Sequence, residues 1–474
     1  MVGLILSIML INSAGSVMLT RVYYQNDQER LRILSKHPDI LAGRADGKWF
    51  DILMGEEEYR EFKNMGIRME IKVYDMDKFF EEKGGAHILI NFGEYYTFSE
   101  MQTEINQIAQ QYPNITKLDT IGWSWYNRPV LAMKISDNPQ IDENEPTGLF
   151  TGVHHAREPI GCSICMDFIR WLCENYGQPG GAGDTATFLV NEREIWIVPV
   201  VNPDGYTYNE QNAQGMWRKN QRDNDNNGYF NSDYDGVDLN RNYGYQWGYD
   251  DWGSSPNPPD DDYRGPSAFS EPEVQAIRQL CDVAQPQVAI NYHSYSDVIL
   301  TPWGYIDDYP PEPDRTIYLA MADTMSTNWN GWPYGNPSST IGYAANGVSD
   351  DWMYGEQDEK PKCYAYTFEV GSSFWQAVND TNIILQQIAE TRPCMIYLLY
   401  RAQNFVDIKE KKYVYKPLLR KDFITRNPLK SIPEKLLLSS KIYNPLGRKI
   451  KNFEKGGVYI LKKDKEVYRV LYLK

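Results

Sequence analysis

Only five histidines occur in 474 residues: His37, His87, His154, His155 and His293. A metal held by imidazole, or a histidine acting as acid or base, must use one of them. His155 and Glu158 stand three apart, directly after the apolar run 148–153 and just before Pro159. In a turn, that spacing lets an imidazole and a carboxylate converge on one ion, although HxxE alone recurs by chance. His293 closes a second apolar run, 287–292. Two His and one Glu leave the fourth position of a tetrahedral zinc open, as a catalytic ion requires. Either histidine alone reads first as a satisfied core residue. Two at strand ends, in a chain with five, weigh against that reading. Glu369 ends a third run, 364–368. A carboxylate there needs a partner, a role or a path to solvent, and hydrolysis at zinc needs a base to take a proton from water.

These residues require a scaffold. The runs 148–153, 195–201, 287–292 and 364–368 have the length and composition of buried parallel strands. Helical patterns separate them, at 160–176 and 271–283, with others at 98–112 and 382–404. Ser99 is the expected cap of the helix at 98–112, and Pro113 follows its end. Open sheets of this kind bind ligands beyond the carboxyl ends of their strands, where His155, Glu158, His293 and Glu369 fall. Ahead of this body, strand-like runs at 17–24, 49–53 and 68–73 alternate with helix-like runs at 27–36 and 56–64, as in a small α+β domain. Residues 81–85 read as a linker. Behind the body, 441–450, 457–462 and 466–473 read as a small all-β module.

Charge marks the same boundaries. The net charge of −16 argues against nucleic acid as the main partner. Residues 406–474 carry 19 Lys/Arg and 7 Asp/Glu, a net of +12, whereas the remainder has 29 and 57, a net of −28. A boundary near residue 405 follows. The six cysteines are too sparse for a disulfide scaffold. Cys162 and Cys165 form a CxxC in an apolar helical pattern and read as core thiols, with one or two disulfides left open. The start, with an apolar run at 4–11 and Ala14-Gly15-Ser16, reads as a signal peptide of residues 1–16, although no Lys or Arg precedes the run. No later run is long enough to span a bilayer.

The motifs TGVHHARE (151–158), IVPVVNPDGY (197–206), MWRKN (216–220), GVDLNRNY (236–243), RGPSAFSEPE (264–273), INYHSYS (290–296), SDDW (349–352) and YTFEVG (366–371) occur in one order. Residues 95–404 thereby resemble a zinc metallocarboxypeptidase of the M14, or carboxypeptidase A/B (funnelin), family. The resemblance implies His155, Glu158 and His293 as zinc ligands, with Asp238 orienting His155. It implies Glu369 as general base and then acid, and Arg218 as stabiliser of the oxyanion. Asn240 and Arg241 would grip the substrate's terminal carboxylate, Arg157 would line the site, and Tyr343 would close over it. Asp350 stands where basic-specific members carry an acid, which implies a preference for C-terminal Lys or Arg. An Asp held in a local network is the alternative.

A loop at 223–235 begins like a calcium loop, with Asp223, Asp225 and Asn227, then Asp233 and Asp235, but its twelfth position is Tyr234 rather than an acid. It reads as a calcium site or as a solvated acidic loop. The tail resembles the β-sandwich sorting domain of bacterial type IX secretion substrates, which implies an export machinery as partner; the other reading is a generic β-module that stabilises the enzyme. The expectation is therefore a mixed, mainly parallel α/β sheet flanked by helices. Its units would be a signal peptide (1–16), a propeptide-like or accessory α+β domain with linker (17–85), a catalytic domain (92–405) and a basic β-module (406–474). The expected product is a secreted or surface enzyme acting on peptides with a free C-terminus. Two other readings are a zinc amidohydrolase of cell-wall peptides and an inactive peptide-binding module.

Overall fold

The computed structural model describes residues 17–36, 39–76, 94–211, 215–329, 331–375 and 380–402, and five strands beyond them. The expected signal peptide, the linker at 81–85, His37 and His87 lie outside the described residues.

Four antiparallel strands open the chain: β1 (Met18–Tyr23), β2 (Asp39–Arg44), β3 (Trp49–Met54) and β4 (Arg68–Val73), in the order β2-β3-β1-β4. Alternate residues of β1 are buried, as period-two patterning dictates. Val22, Phe50 and Ile52 pack with Ile33 and Phe62 of the helices Asp27–Leu34 and Glu56–Asn64. The sequence pattern misses β2, because Ala42 and Gly43 at its centre have low strand propensity.

The main sheet has eight strands: β5 (Thr116–Trp123), β6 (Pro129–Ile135), β7 (Thr147–Gly152), β8 (Glu194–Val198), β9 (Val288–His293), β10 (Val298–Leu300), β11 (Tyr334–Gly335) and β12 (Tyr364–Glu369). Their order is β11-β10-β12-β9-β7-β8-β6-β5. The four predicted strands are its parallel centre, β8-β7-β9-β12. An antiparallel hairpin, β5-β6, extends one side, and β10 runs antiparallel to β12 on the other. Alternation along the central strands serves two cores. Phe150, Ile197, Ile290 and Tyr366 face the helices Phe98–Gln111, Ile160–Asn175 and Thr381–Arg401. Leu149, Val198, Ala289 and Ala365 face the helix Pro272–Ala284.

Thr97, not Ser99, caps the helix Phe98–Gln111. Thr97 and Glu100 close a reciprocal capping box, and Ser99 lies inside the helix. All six cysteines are free and buried. Among the described residues, no helix is long and apolar enough to cross a membrane. In the tail, β13 (Asp422–Thr425), β14 (Lys441–Tyr443), β15 (Lys449–Ile450), β16 (Gly457–Lys463) and β17 (Glu466–Tyr472) form one sheet, ordered β13-β17-β16-β14-β15.

Candidate metal centre and cleft

The carboxyl ends of β7, β9 and β12 meet at one level. Glu369 is the register partner of His293, and Gly152 that of Tyr292. Strand β7 can approach the start of the helix Ile160–Asn175 because both contact residues are glycines. A Cβ on Gly152 would lie 2.6 Å from the Gly161 carbonyl carbon. Val153 then turns the chain at φ +55°, a costly conformation for a β-branched residue. The turn delivers His155 and Glu158.

There the side chains converge. His155 Nδ1 lies 2.8 Å from Glu158 Oε1, and His293 Nδ1 lies 3.0 Å from Glu158 Oε2 and 3.1 Å from His155 Nδ1. Asp238 Oδ1 lies 3.1 Å from His155 Nε2, and its other oxygen accepts from Arg218 Nε at 2.9 Å. His154, which was not expected to act, stacks on His293 at 5.3 Å between ring centres. Burial lowers the pKa of both His154 and His293, so both imidazoles are held neutral. Burial opposes ionisation of Glu158, but His155 and His293 outweigh it and hold the carboxyl well below its usual range. Two imidazole nitrogens and a carboxylate aimed at one buried point are a zinc donor set, with Asp238 fixing one ring from behind. The residues present therefore fit the ion.

Around this point His155, Glu158, Arg218, Asn240, Arg241, Tyr343, Asp350 and Glu369 line one cleft. Asn240 is fixed at both ends: its N–H donates to Asp238 Oδ1 (2.8 Å), and its Oδ1 accepts from the Ser349 N–H (2.9 Å). Arg241 Nε is buried and has no partner among the described residues. Arg157, expected to line the site, is 1% exposed, donates to Asp261 (2.9 Å) and lies over Phe374, whose ring packs on the cleft residue Tyr295. Glu369 stays partly open to the cleft, and burial together with nearby Glu158 raises its pKa well above the usual carboxyl range. Asp350 is buried, which pushes its carboxyl up to about 6. Asp351 is raised further by burial and by Asp350, and accepts the N–H groups of Gly304 and Tyr305.

Two contributors escaped the sequence. Thr367 lines the cleft beside Asp350; it lies two residues before Glu369 on the same strand, so period two was a usable signal. Leu41, Ala42 and Gly43 of β2 also line the cleft, and no local pattern pointed to them. Around them Arg44 donates to Ser296 O, Arg30 to Gly342 O and the Ala45 N–H to Thr340 O. Asp51 accepts from Tyr295 OH, and Phe50 meets the ring of Tyr343 edge-on. The free volume left in the cleft is about 50 Å3, room for a few waters.

In the acidic loop, Asp223, Asp225 and Asp235 come together, whereas Asp233 stands outside the group. The loop's own amides occupy these oxygens. The Asn227 N–H donates to Asp223 and Asp225, the Gly228 N–H to Asp223, and the Asn224 N–H to Asp235.

The sequence profile of the zinc carboxypeptidase family (Peptidase_M14) matches residues 101–385. A zinc carboxypeptidase of Saccharothrix mutabilis subsp. capreolus is 34% identical over 365 residues, covering 72% of this chain and 79% of that protein. Zinc carboxypeptidase A 1 of Anopheles gambiae is 30% identical over 389 residues, covering 78% and 84%. The crystal structure of carboxypeptidase A from Helicoverpa armigera superposes with a TM-score of 0.68 at 23% identity, covering 83% of this chain and 99% of that one.

Proposed function

This chain belongs to the zinc carboxypeptidase family and is a zinc metallocarboxypeptidase, and from that premise we propose how its own residues bind and cut the substrate. His155, Glu158 and His293 hold the zinc. When bound, zinc supplies a Lewis acid that polarises the scissile carbonyl and acidifies water. Glu369 takes the proton from the attacking water and hands it to the leaving amine. Arg218, fixed by Asp238, stabilises the negative charge that develops on the carbonyl oxygen. Arg241 and Asn240 bind the terminal carboxylate, and Tyr343 closes over it. The observation that carries this reading is the buried, unpartnered Arg241 Nε in the cleft that His155 and Glu158 line. A planar guanidinium fork suits a carboxylate bidentately. The same clamp favours a free C-terminus over an internal cell-wall amide, and the full set of ligands and base favours an enzyme over a binding module. Mass spectrometry of a peptide library with and without chelator tests it. Chelator-sensitive loss of single C-terminal residues is expected, and internal cuts would refute it.

Asp350 is proposed to prefer C-terminal Lys or Arg. Residues 17–85 are proposed as a cover that must leave before a peptide end can enter, since β2 lines the cleft and about 50 Å3 is left free in it. Residues 92–405 are the proposed catalytic domain. Export is supported by the apolar start at 4–11 and the basic tail, with 406–474 as its sorting or accessory module. The loop at 223–235 is read as closed by its own amides. Adding calcium to zinc-loaded protein should then leave Tm within about 1 °C, because only a ligand bound to the native state raises it.

A further inference from the structure

A groove apart from the cleft runs between the helices Phe98–Gln111, Ile160–Asn175 and Thr381–Arg401, with a free volume of about 580 Å3. One part of its lining is acidic. Glu104 is engaged by Arg170 (2.9 Å) and Asp167 by Arg392 (2.8 Å). Glu94 and Glu100 also face the groove, and among the described residues neither pairs with a cation. Glu100 accepts only the neutral donors of Thr97. Another part is apolar: Ile384, Leu385 and Ile388, with Leu385 54% exposed. Ser163 lies on the same lining, 3% exposed, and its hydroxyl has no partner among the described residues. A buried, unpartnered hydroxyl in the wall of a groove is an unmet hydrogen-bonding capacity beside whatever lies there. Buried aromatic packing links the wall of this groove to the wall of the cleft. Tyr95, on the groove, packs against Trp375 at 6.0 Å; the adjacent Phe374 packs against Tyr295 at 5.0 Å and lies under Arg157.

We infer that this groove docks a basic, apolar stretch of peptide, the part of the substrate chain N-terminal to the bond that is cut. The substrate assignment rests on the carboxypeptidase reading of the cleft; the groove's selectivity does not. Lys or Arg stems lie along Ile384, Leu385 and Ile388 while their charged heads reach Glu94 and Glu100. The Ser163 hydroxyl pairs with a main-chain group of the peptide. An acidic peptide meets two uncompensated carboxylates and is turned away.

The test uses the full chain and a fluorescent alternating Lys-Leu peptide ending in an amide, which a carboxypeptidase cannot cut. Anisotropy should report binding that weakens with added salt and drops about fivefold in the double variant Glu94→Gln/Glu100→Gln, as two lost surface charge contacts predict. Gln at position 100 preserves the helix cap. Should the double variant misfold, Leu385→Ser serves instead, and weaker binding is again expected. A Glu-Leu peptide of equal length should not bind. Equal binding of the two peptides, or binding unchanged in the folded variants, overturns the inference. A kinetic arm uses any preparation that cleaves a short blocked substrate. Long substrates with upstream Lys-Leu should show a lower KM than those with upstream Glu-Leu, at equal kcat, and equal KM values overturn the substrate assignment. Failure of the zinc-loaded chain to cleave even the short substrate after residues 17–85 are cut away counts against the carboxypeptidase reading, while the anisotropy arm still decides the groove.

Discussion

Glu369, Arg241 and Asp350 face one cleft, yet each carries a different demand. In the proposed mechanism Glu369 accepts and returns a proton, so a neutral amide of the same shape should stop turnover without disturbing the proposed ligands. Glu369→Gln is expected to lose about 10²–10⁴-fold in kcat while atomic absorption still finds one zinc per chain. Arg241→Lys keeps the charge and loses the fork, so kcat/KM for a free C-terminus should fall by about tenfold or more. As the proposed specificity residue, Asp350 should make selectivity depend on pH. Its carboxyl, raised by burial to about 6, is neutral below that pH and charged above it. The ratio of kcat/KM for C-terminal Arg over Leu should therefore climb as pH rises through about 6. In Asp350→Asn the ratio should be low and flat. A flat, high ratio in the wild type would remove Asp350 from the specificity pocket.

At the scale of elements, the Gly152–Gly161 contact sets the height at which His155 is presented. Gly152→Ala puts a methyl group against backbone, which cannot retreat as a side-chain end can. A loss of about 1–3 kcal/mol is expected, measured by denaturant unfolding, together with weaker zinc retention. The same strand shows what a sequence reveals. The central strands β7, β8, β9 and β12 were legible because burial on both faces leaves near-continuous apolar runs. Their carboxyl ends, together with the HxxE spacing and the scarcity of histidine, then pointed to the three proposed ligands and to Glu369. The hairpin β5-β6 and strand β2 were not legible. Strand β5 is only half-buried, and β2 gains its place by pairing with β3 and by meeting Ser296, about 250 residues away. Such long-range partners leave no local pattern. For the same reason, the pairing of Arg157 with Asp261, about a hundred residues away, left no signal.

For the whole molecule, the uneven charge now has a structural setting. The acidic remainder contains the peptidase body, and the basic part coincides with the five-stranded tail sheet. The first sheet and its helix Asp27–Leu34, with the turn after β2, are bound to the body at Gly342, Thr340, Ser296 and Tyr295, around Tyr343 and the cleft. A proteolytic cut between residues 76 and 94, followed by removal of the released piece, should raise hydrolysis of a short substrate from near zero. Full activity in the uncut chain would show that β2 is no barrier.

Six free, buried thiols have a consequence for a chain proposed to leave the cell. Burial pushes the Cys173 and Cys281 thiols up to about 12 and the others higher still. At neutral pH the native protein therefore holds almost no thiolate, the form that oxidants and alkylating reagents attack. Its exposure to oxidation is confined to the interval before folding is complete, when Cys162 and Cys165, one helical turn apart, are open to the solvent. Folding rate, rather than any disulfide, is then what protects this enzyme in an oxidising compartment.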